Sequence, residues 1–168
     1  GVSREEWRLL PLVPLVGFLF LLDTAYLVTF TAASGQTIGK MLTGLRVVEL
    51  AVWVAGPGAG GILADWGADV VKVEPREGDP ARSLFMHLAG LKEPKSPPFD
   101  LDNRGKRSIV LDLRAPDGLS VLRKLVAGAD VFLSNLRPEA LAKLGLDYPA
   151  LAKDCPRLVY ASVTGYGL

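Results

Sequence analysis

The chain has 168 residues, the size of one ordinary domain, and 19 Lys and Arg residues nearly balance 18 Asp and Glu residues, giving a net charge of +1. The basic residues are scattered along the chain, so the composition does not predict a nucleic-acid-binding surface. The single cysteine, Cys155, and the single histidine, His87, exclude an internal disulfide and a metal site built from thiolates or several imidazoles. No metal is therefore expected.

A hydrophobic segment comes first in the chain. Residues from Leu12 to Ala33 carry one charge, Asp23. Their twelve Leu, Val and Phe side chains favour membrane insertion by about 4 to 7 kcal/mol, against a cost of about 3 kcal/mol for a central acid. The sequence therefore predicts one transmembrane helix, with a buried helix of a soluble protein as the alternative. An acid at that depth is either a functional residue or a group that faces a partner helix.

Residues 44–74 predict a strand, a glycine-rich turn, a helix and a second strand. The first strand is centred on an apolar run at 47–50 and the second covers 69–73, both as expected for strands buried on two faces. Residues 62–66 predict two helical turns that end at Gly67. The connection leaves no room for a hairpin, so the two strands are expected to be parallel.

The glycines permit two interpretations. Gly56, Gly58 and Gly61 match the pattern G-x-G-x-x-G, and Glu74 lies 18 residues beyond the first of them. This spacing is typical of NAD(P)-binding sites, in which glycines admit the pyrophosphate and the acid binds the ribose. Pro57 weakens the match because it removes a backbone N–H group. A nicotinamide-dependent dehydrogenase and a turn of purely structural purpose both stay open.

Helices and strands alternate through the rest of the chain. The pattern predicts a proline-rich connection over 78–102 with a helix over 82–89 that carries His87, strands over 108–113, 131–133 and 158–163, and helices beginning at 115 and covering 138–144 and 148–153. Arg104, Lys106 and Arg107 either reach phosphates or form a solvated basic turn. No G-x-S-x-G elbow is present, and Cys155 has no second histidine to activate it, so no catalytic constellation is predicted.

Five ordered blocks of sequence within residues 44–168 resemble the class III CoA-transferases, the family of formyl-CoA transferase, carnitine CoA-transferase and α-methylacyl-CoA racemase. The blocks cover 44–57, 63–82, 103–113, 129–146 and 156–167. With the alternation of strands and helices, this resemblance implies an α/β fold with an incomplete, Rossmann-like parallel sheet and flanking helices. The hydrophobic segment adds one predicted transmembrane helix before it. The resemblance also implies a cytoplasmic enzyme that forms homodimers when intact.

The resemblance implies a mechanism as well. An enzyme aspartate attacks an acyl-CoA thioester, CoA passes to that acid, and a carboxylic acid acceptor collects it. Coenzyme A, as acyl-CoA, is then the only cofactor expected. The aspartate is expected beyond Leu168, so no catalytic residue is assigned within this chain. The racemase members of the family use α-proton transfer instead.

The CoA contacts implied by the resemblance follow predicted strands or lie in the predicted helix over 138–144. They are Trp53 and Val54 in the active site, Arg76 at the nucleotide end, Asn135, Leu136 and Ala140 on the adenine side, Lys143 in place of a phosphate-binding Arg, and Thr164 in place of a Lys. Some of these residues have a structural alternative. Asn135 could simply be a turn residue, and Lys143 could belong to a solvated helix face.

Residues 1–48 have a resemblance of their own, to the later part of the RDD family of small bacterial membrane proteins. The resemblance lies in 26–31 and in the block Gly-Gln-Thr-Ile-Gly-Lys at 35–40. The two resemblances overlap near Gly44, which predicts a junction between an RDD-like part, 1–44, and a CoA-transferase part, 45–168. Because the chain begins with Gly1, it is expected to be a fragment or a processed product. A membrane-anchored binding module without catalysis is a further alternative.

Overall fold

The computed structural model describes residues 44–83, 96–165 and 167. The predicted transmembrane helix and His87 lie outside the described residues, as do nearly all of the RDD-like part and most of the predicted helix over 82–89. Among the residues that are described, no helix is long and apolar enough to cross a membrane.

Five strands form a single sheet in the order β3-β2-β1-β4-β5, and every neighbouring pair is parallel. The strands are β1 (Arg46–Leu50), β2 (Asp69–Glu74), β3 (Arg107–Val110), β4 (Val131–Ser134) and β5 (Val159–Ser162). The predicted α/β fold with a parallel sheet is thus confirmed. The strand order reverses between β1 and β4, and open α/β sheets bind ligands at the carboxyl ends of the strands beside such a reversal.

Five helices accompany the strands in the described part of the chain. They are α1 (Ala55–Asp65), α2 (Pro97–Asp102), α3 (Pro116–Ala127), α4 (Pro138–Leu144) and α5 (Tyr148–Asp154). The predicted helices over 138–144 and 148–153 are confirmed, and the predicted strand over 108–113 ends earlier, at Val110. Helix α2 was not predicted within the proline-rich connection. Prolines at its first two positions are compatible with a helix, because those N–H groups have no partner within it.

The predicted glycine-rich turn is wrong, because Gly56, Gly58, Gly60 and Gly61 all lie inside α1. A Cβ at Gly60 would stand 1.9 Å from Glu49 Oε2, and one at Gly61 would stand 2.7 Å from the carbonyl oxygen of Asp102. The glycines therefore let α1 pack against side chains and backbone that a larger residue would displace. Close packing outweighs the low helix propensity of glycine here.

The predicted end of this helix at Gly67 is confirmed. Gly67 has a φ of 105° and follows the C-cap residue Trp66. Its N–H donates to the carbonyl of Ala64, and the N–H of Ala68 donates to that of Leu63. These two hydrogen bonds form a Schellman motif, in which the left-handed conformation favours glycine.

The two faces of the sheet differ in composition. Helices α3, α4 and α5 cover one face, which holds the larger cluster of buried apolar residues: Val48, Leu50, Val73, Leu122, Val126, Phe132, Leu141, Leu146 and Leu151. Helix α1 packs on the other face, whose apolar cluster is smaller and contains Val47, Ala64, Ala68, Val70 and Leu133. That face also buries Glu49 of β1 and Lys72 of β2, which lie opposite each other in the strand register.

Candidate functional site

The carboxyl end of β1 continues into residues 51–54, here called the β1–α1 segment. Within the described residues, Trp53 is the one non-glycine residue with a positive φ, of 67°. The Trp53 and Val54 side chains are 45% and 58% exposed. A bulky residue in the left-handed region is strained, and such residues concentrate at ligand sites where surrounding contacts hold them.

Side chains from neighbouring elements hold the backbone of the β1–α1 segment. Asn135, which follows β4, accepts from the N–H of Val52 at 2.9 Å and donates to its carbonyl at 2.7 Å. Asp79 Oδ1 accepts from the N–H of Trp53 at 3.1 Å. Lys72 Nζ donates to the carbonyl of Ala51 at 3.0 Å. The segment is therefore fixed from both sides of β1.

A buried ion network lies between the sheet and α1 and consists of Lys106, Glu49, Lys72 and Asp79. Lys72 Nζ lies 3.1 Å from Glu49 Oε1 and 2.8 Å from Asp79 Oδ2. Lys106 Nζ lies 2.7 Å from Glu49 Oε2 and donates to the carbonyl of Pro57 in α1. Burial raises the pKa of Glu49 although both ammonium groups oppose the shift, and burial lowers the pKa of Lys106 against the attraction of Glu49.

The carboxylate of Glu74, at the end of β2, accepts hydrogen bonds from several neighbouring groups. It accepts from Arg82 at 2.8 and 2.7 Å, from Ser108 Oγ at 2.8 Å and from the N–H of Asp79 at 3.1 Å. Burial alone would raise its pKa, but these hydrogen bonds outweigh burial and hold the pKa at about 2. The Arg82 guanidinium also lies 3.8 Å from the ring centroid of Phe99. This carboxylate is therefore not free to bind a ribose, as the dinucleotide interpretation requires.

A cleft of about 380 Å³ opens at the carboxyl ends of β1, β2 and β3. We call it the carboxyl-edge cleft. Its lining residues are Leu50, Ala51, Val52, Val73, Glu74, Pro75, Arg76, Glu77, Leu111, Asp112, Leu113, Arg114 and Leu136. The lining combines aliphatic side chains with two exposed arginines, Arg76 and Arg114, and two exposed acids, Glu77 and Asp112. The aliphatic part suits an apolar arm of a ligand, and the arginines are the lining groups that can bind its anionic groups.

The structure brings some of the predicted site residues together and leaves others apart. Arg76 and Leu136 both line the carboxyl-edge cleft. Asn135 bonds Val52, the residue before Trp53 and Val54. Ala140 and Lys143 are exposed on α4, with Lys143 in its last turn, and Thr164 follows β5 and accepts from the N–H of Gly167. These last three residues are not among those that line the cleft.

The basic residues before β3 are all paired with acids. Arg104 bonds Asp65, and Arg107 bonds Asp69 at 2.9 and 2.6 Å. Lys106 belongs to the buried ion network. A solvated basic turn is therefore wrong for Lys106, whose side chain is 2% exposed. Nor do the described residues contain a cluster of three His, Cys, Asp or Glu side chains arranged as metal ligands.

Sequence reasoning missed the buried ion network. A signal was present, since Glu49 and Lys72 interrupt two strands that are otherwise largely apolar and have opposite charges. A charge within a doubly buried strand needs a partner, and the nearest strand supplies one of the opposite sign. The pairing could not be assigned without the register, which places the two residues side by side.

The fold and the cleft together define a parallel α/β protein with a cleft at the carboxyl edge of its sheet. Comparison with known proteins specifies the class further, because CoA-transferase family III matches residues 42–168. The chain therefore belongs to CoA-transferase family III. This match bears out the resemblance seen in residues 44–168.

Individual relatives agree with this assignment. The chain is 48% identical to succinate–glutarate CoA-transferase of Agrobacterium fabrum over 75% of its length and 32% of that protein. It is 42% identical to cinnamoyl-CoA:phenyllactate CoA-transferase of Clostridium sporogenes, over 76% of this chain and 31% of that one. A solved CAIB/BAIF family protein from Brucella suis is 44% identical, with a TM-score of 0.67 over 74% of this chain and 33% of that chain. The chain thus spans about a third of the length of these relatives.

Proposed function

We propose that this chain is the CoA-binding, N-terminal part of a CoA-transferase that moves CoA from an acyl-CoA to a carboxylic acid. The observation that carries the proposal is the family match over residues 42–168, which includes every strand of the sheet and its whole carboxyl edge. Relatives that are 42% and 48% identical to this chain over 129 and 130 aligned residues are named as enzymes of this reaction class. The reaction proceeds through an aspartyl-CoA intermediate.

The carboxyl-edge cleft is the proposed site of acyl-CoA. Leu111, Leu113 and Leu136 offer an apolar wall for the pantetheine arm, and Arg76 offers a guanidinium for the phosphates. We place Trp53 and Val54 at the thioester end, where their exposure leaves them available to a ligand. Asn135, Ala140, Lys143 and Thr164 are proposed members of the site by resemblance.

The attacking carboxylate is proposed to come from an aspartate beyond Leu168. Three acids lie near the β1–α1 segment, but each is buried and bound to a cation: Glu49 to Lys72 and Lys106, Glu74 to Arg82, and Asp79 to Lys72. A carboxylate held in this way is a weak nucleophile, because attack would leave its cation unpaired in a buried site. The described acids are therefore better suited to positioning than to attack.

The substrates are proposed only as a class. The relatives carry the names of several different carboxylic acids, among them glutarate, phenyllactate and malate, at 39–48% identity to this chain. Sequence identity in that range does not determine which carboxylic acid is the substrate. A homodimer is proposed for the intact protein.

A binding measurement tests the proposed function. The full chain is titrated with CoA by calorimetry, with NADH as the competing probe, and we expect CoA to bind and NADH not to bind. Arg76→Ala should weaken CoA binding about tenfold, as expected for one lost charge-assisted hydrogen bond. Arg46→Ala, an exposed arginine at the opposite edge of the sheet, is the matched control and should bind CoA unchanged. Binding of NADH with no affinity for CoA would refute the proposal and favour a dehydrogenase.

The N-terminal RDD-like part is a separate proposal that concerns residues 1–44. Its resemblance to membrane proteins stays a prediction, and so does insertion of the segment from Leu12 to Ala33. Sedimentation of the full chain with lipid vesicles tests both. If the chain sediments and binds CoA, but the gene that encodes the complete protein yields no transferase activity, a membrane-anchored binding module is favoured.

A further inference from the structure

The β1–α1 segment has an unusual set of backbone partners. Five of the six backbone polar groups from the carbonyl of Leu50, which precedes the segment, to the N–H of Trp53 bond to side chains. The bonds join Leu50 O to Ser134 Oγ, Ala51 O to Lys72 Nζ, both polar groups of Val52 to Asn135, and Trp53 N to Asp79 Oδ1, at 2.7–3.1 Å. The path of this segment therefore depends on side chains from β2, β4 and the loops that follow them.

These contacts bear on the strained conformation of Trp53. A tryptophan prefers a negative φ, so its left-handed conformation persists only where surrounding bonds enforce it. Asn135 fixes the residue before Trp53, and Asp79 fixes the N–H of Trp53 itself. Asp79 is in turn held by Lys72 at 2.8 Å and by the N–H of Ala81 at 2.9 Å. The hydrogen bond from the Trp53 N–H to Asp79 is thus held in place by the buried ion network.

Asn135 uses both of its side-chain polar atoms on Val52. A Cβ at Gly56 would come within 3.1 Å of Asn135 Cγ, so the start of α1 packs directly on this amide. The amide is therefore committed to the protein backbone and lies under the helix. These contacts argue for a role that acts through Trp53 and Val54 instead of a direct hydrogen bond to ligand.

We propose that Asn135 and Asp79 are positioning residues that hold Trp53 in its left-handed conformation and thereby present Trp53 and Val54 to acyl-CoA. The inference rests on the proposed function, because it takes this edge of the sheet as the acyl-CoA site. It removes Asn135 from the direct CoA contacts implied by the family resemblance. It also adds Asp79, which the sequence did not assign to the site.

The first experiment removes the side chain of Asn135, one of the two residues that hold Trp53, and measures the CoA affinity of the full chain. Asn135→Ala should weaken CoA binding about tenfold or more. The matched control is Asp130→Ala, because Asp130 Oδ2 accepts from the N–H of Arg46 at 2.8 Å and so joins β4 to β1 at the opposite edge. The control should bind CoA within about twofold of the unsubstituted chain. Equal losses in the two variants would overturn the proposal.

The second experiment tests whether the loss passes through the backbone of Trp53. Trp53→Ala and Trp53→Gly both remove the indole, but only glycine adopts a positive φ without strain. Asn135→Ala should therefore cost about fivefold less CoA affinity in the Trp53→Gly chain than in the Trp53→Ala chain. The same cost in both chains would mean that Asn135 acts in another way and would overturn the proposal.

A third measurement needs no ligand and separates this inference from the proposed function. Backbone chemical shifts at position 53 report the left-handed conformation, which should be lost in Asn135→Ala and in Asp79→Ala and kept in Asp130→Ala. Retention in the first two variants would overturn the positioning role even if the chain binds CoA. Absence of CoA binding by the unsubstituted chain would instead refute the proposed function and, with it, the presentation of Trp53 to CoA.

Discussion

The two faces of the sheet are built from the same strands but by different means. Under α3, α4 and α5 lies a large buried cluster of aliphatic and aromatic residues, and the helices present ordinary apolar stripes. On the other face the glycine-rich helix α1 covers the buried ion network, which consists of two lysines and two acids. Alternation along each strand produces this division, because neighbouring residues point to opposite faces.

The difference between the two faces suggests that one mainly stabilises the fold and the other mainly positions residues of the site. Burial of apolar surface stabilises the fold without fixing any one contact, whereas an ion network contributes little net stability but allows only one arrangement of its members. Here the network lies on the face that carries Lys72 and Asp79, which bond the β1–α1 segment. We interpret the apolar face as the main source of stability and as the backing of the leucine wall of the cleft, and the ionic face as the support of the β1–α1 segment.

The largest effect is expected from breaking the ionic face. Lys72→Met should lower the free energy of unfolding by about 3–5 kcal/mol, because Asp79 would be left buried without a cation and Glu49 would keep only Lys106. Urea denaturation followed by circular dichroism measures the change. Lys124→Met, at an exposed position in α3, is the control and should change stability by less than about 0.5 kcal/mol. Equal stabilities of the two variants would contradict the role given to the ion network.

A change of similar size on the apolar face should leave the site intact. Leu122→Ala should cost about 2–5 kcal/mol, because the side chain is fully buried and the truncation leaves a cavity. CoA affinity should stay unchanged in the folded variant, unlike that of Lys72→Met. Val121→Ala, at the partly exposed neighbouring position, is the control for stability. A loss of CoA affinity in Leu122→Ala would remove the distinction between the faces.

The pH dependence of stability probes the ionic face without a substitution that would leave a cavity in the core. The pKa of Glu74 falls from 4.5 to about 2 in the folded chain, so its contribution is complete above pH 4.5 and is lost as the pH falls towards 2. The full shift corresponds to about 3 kcal/mol. Urea denaturation at pH 6, 4 and 3 should show about 2 kcal/mol of this loss in the unsubstituted chain, because pH 3 still lies above the folded pKa.

Glu74→Gln serves as the reference for that measurement. Its stability should fall less between pH 6 and pH 3 than that of the unsubstituted chain, because one ionisable carboxyl is removed. Glu49 has a raised pKa and acts in the opposite direction, so the comparison must be made between chains that both keep it. Identical pH profiles for the two chains would show that the hydrogen bonds from Arg82 and Ser108 do not stabilise the carboxylate.

The smallest effects should distinguish two glycines of the same helix. Gly60→Ala should destabilise the chain by about 1–2 kcal/mol, because the new methyl group meets Glu49 Oε2 and Lys106 Nζ. Gly58→Ala should stabilise it by about 0.5–1 kcal/mol, since its new methyl group would lie 3.6 Å from Asp102 Oδ1, an ordinary contact. Thermal unfolding of the two variants measures the opposite signs. Two changes of the same sign would mean that the helix does not pack closely on the ion network.

Several elements of the fold could be predicted from local patterns. The largely apolar, valine-rich stretches at 47–50 and 69–73 predicted parallel strands, and Gly67 marked the end of the first helix. The start of that helix was missed, because glycine at 56–61 disfavours a helix by propensity and only tertiary packing overrides it. Local pattern also gave no sign of α2, since two prolines conceal its first turn.

The candidate site was less predictable than the fold. Asn135 and Arg76 were named from resemblance, but their partners depend on contacts between residues far apart in sequence: Asn135 and Val52 are 83 positions apart. Asp79 was noted only as part of a family motif, and its bonds to Trp53 and Lys72 could not be inferred before the strands were aligned. Spacing along a chain predicts strand ends, but it does not predict which polar side chains meet there.

The opposition of Glu49 and Lys72 has a consequence for how the sheet assembles. Strands β1 and β2 are rich in valine, and shape alone distinguishes poorly between alternative alignments of such strands. A slip of one residue would carry a charge into the aliphatic layer, and a slip of two residues would set Glu49 opposite either Val70 or Glu74. The salt bridge therefore favours the native alignment of β1 and β2. In a misaligned chain a buried charge has no partner, which favours separation of the two strands and renewed pairing.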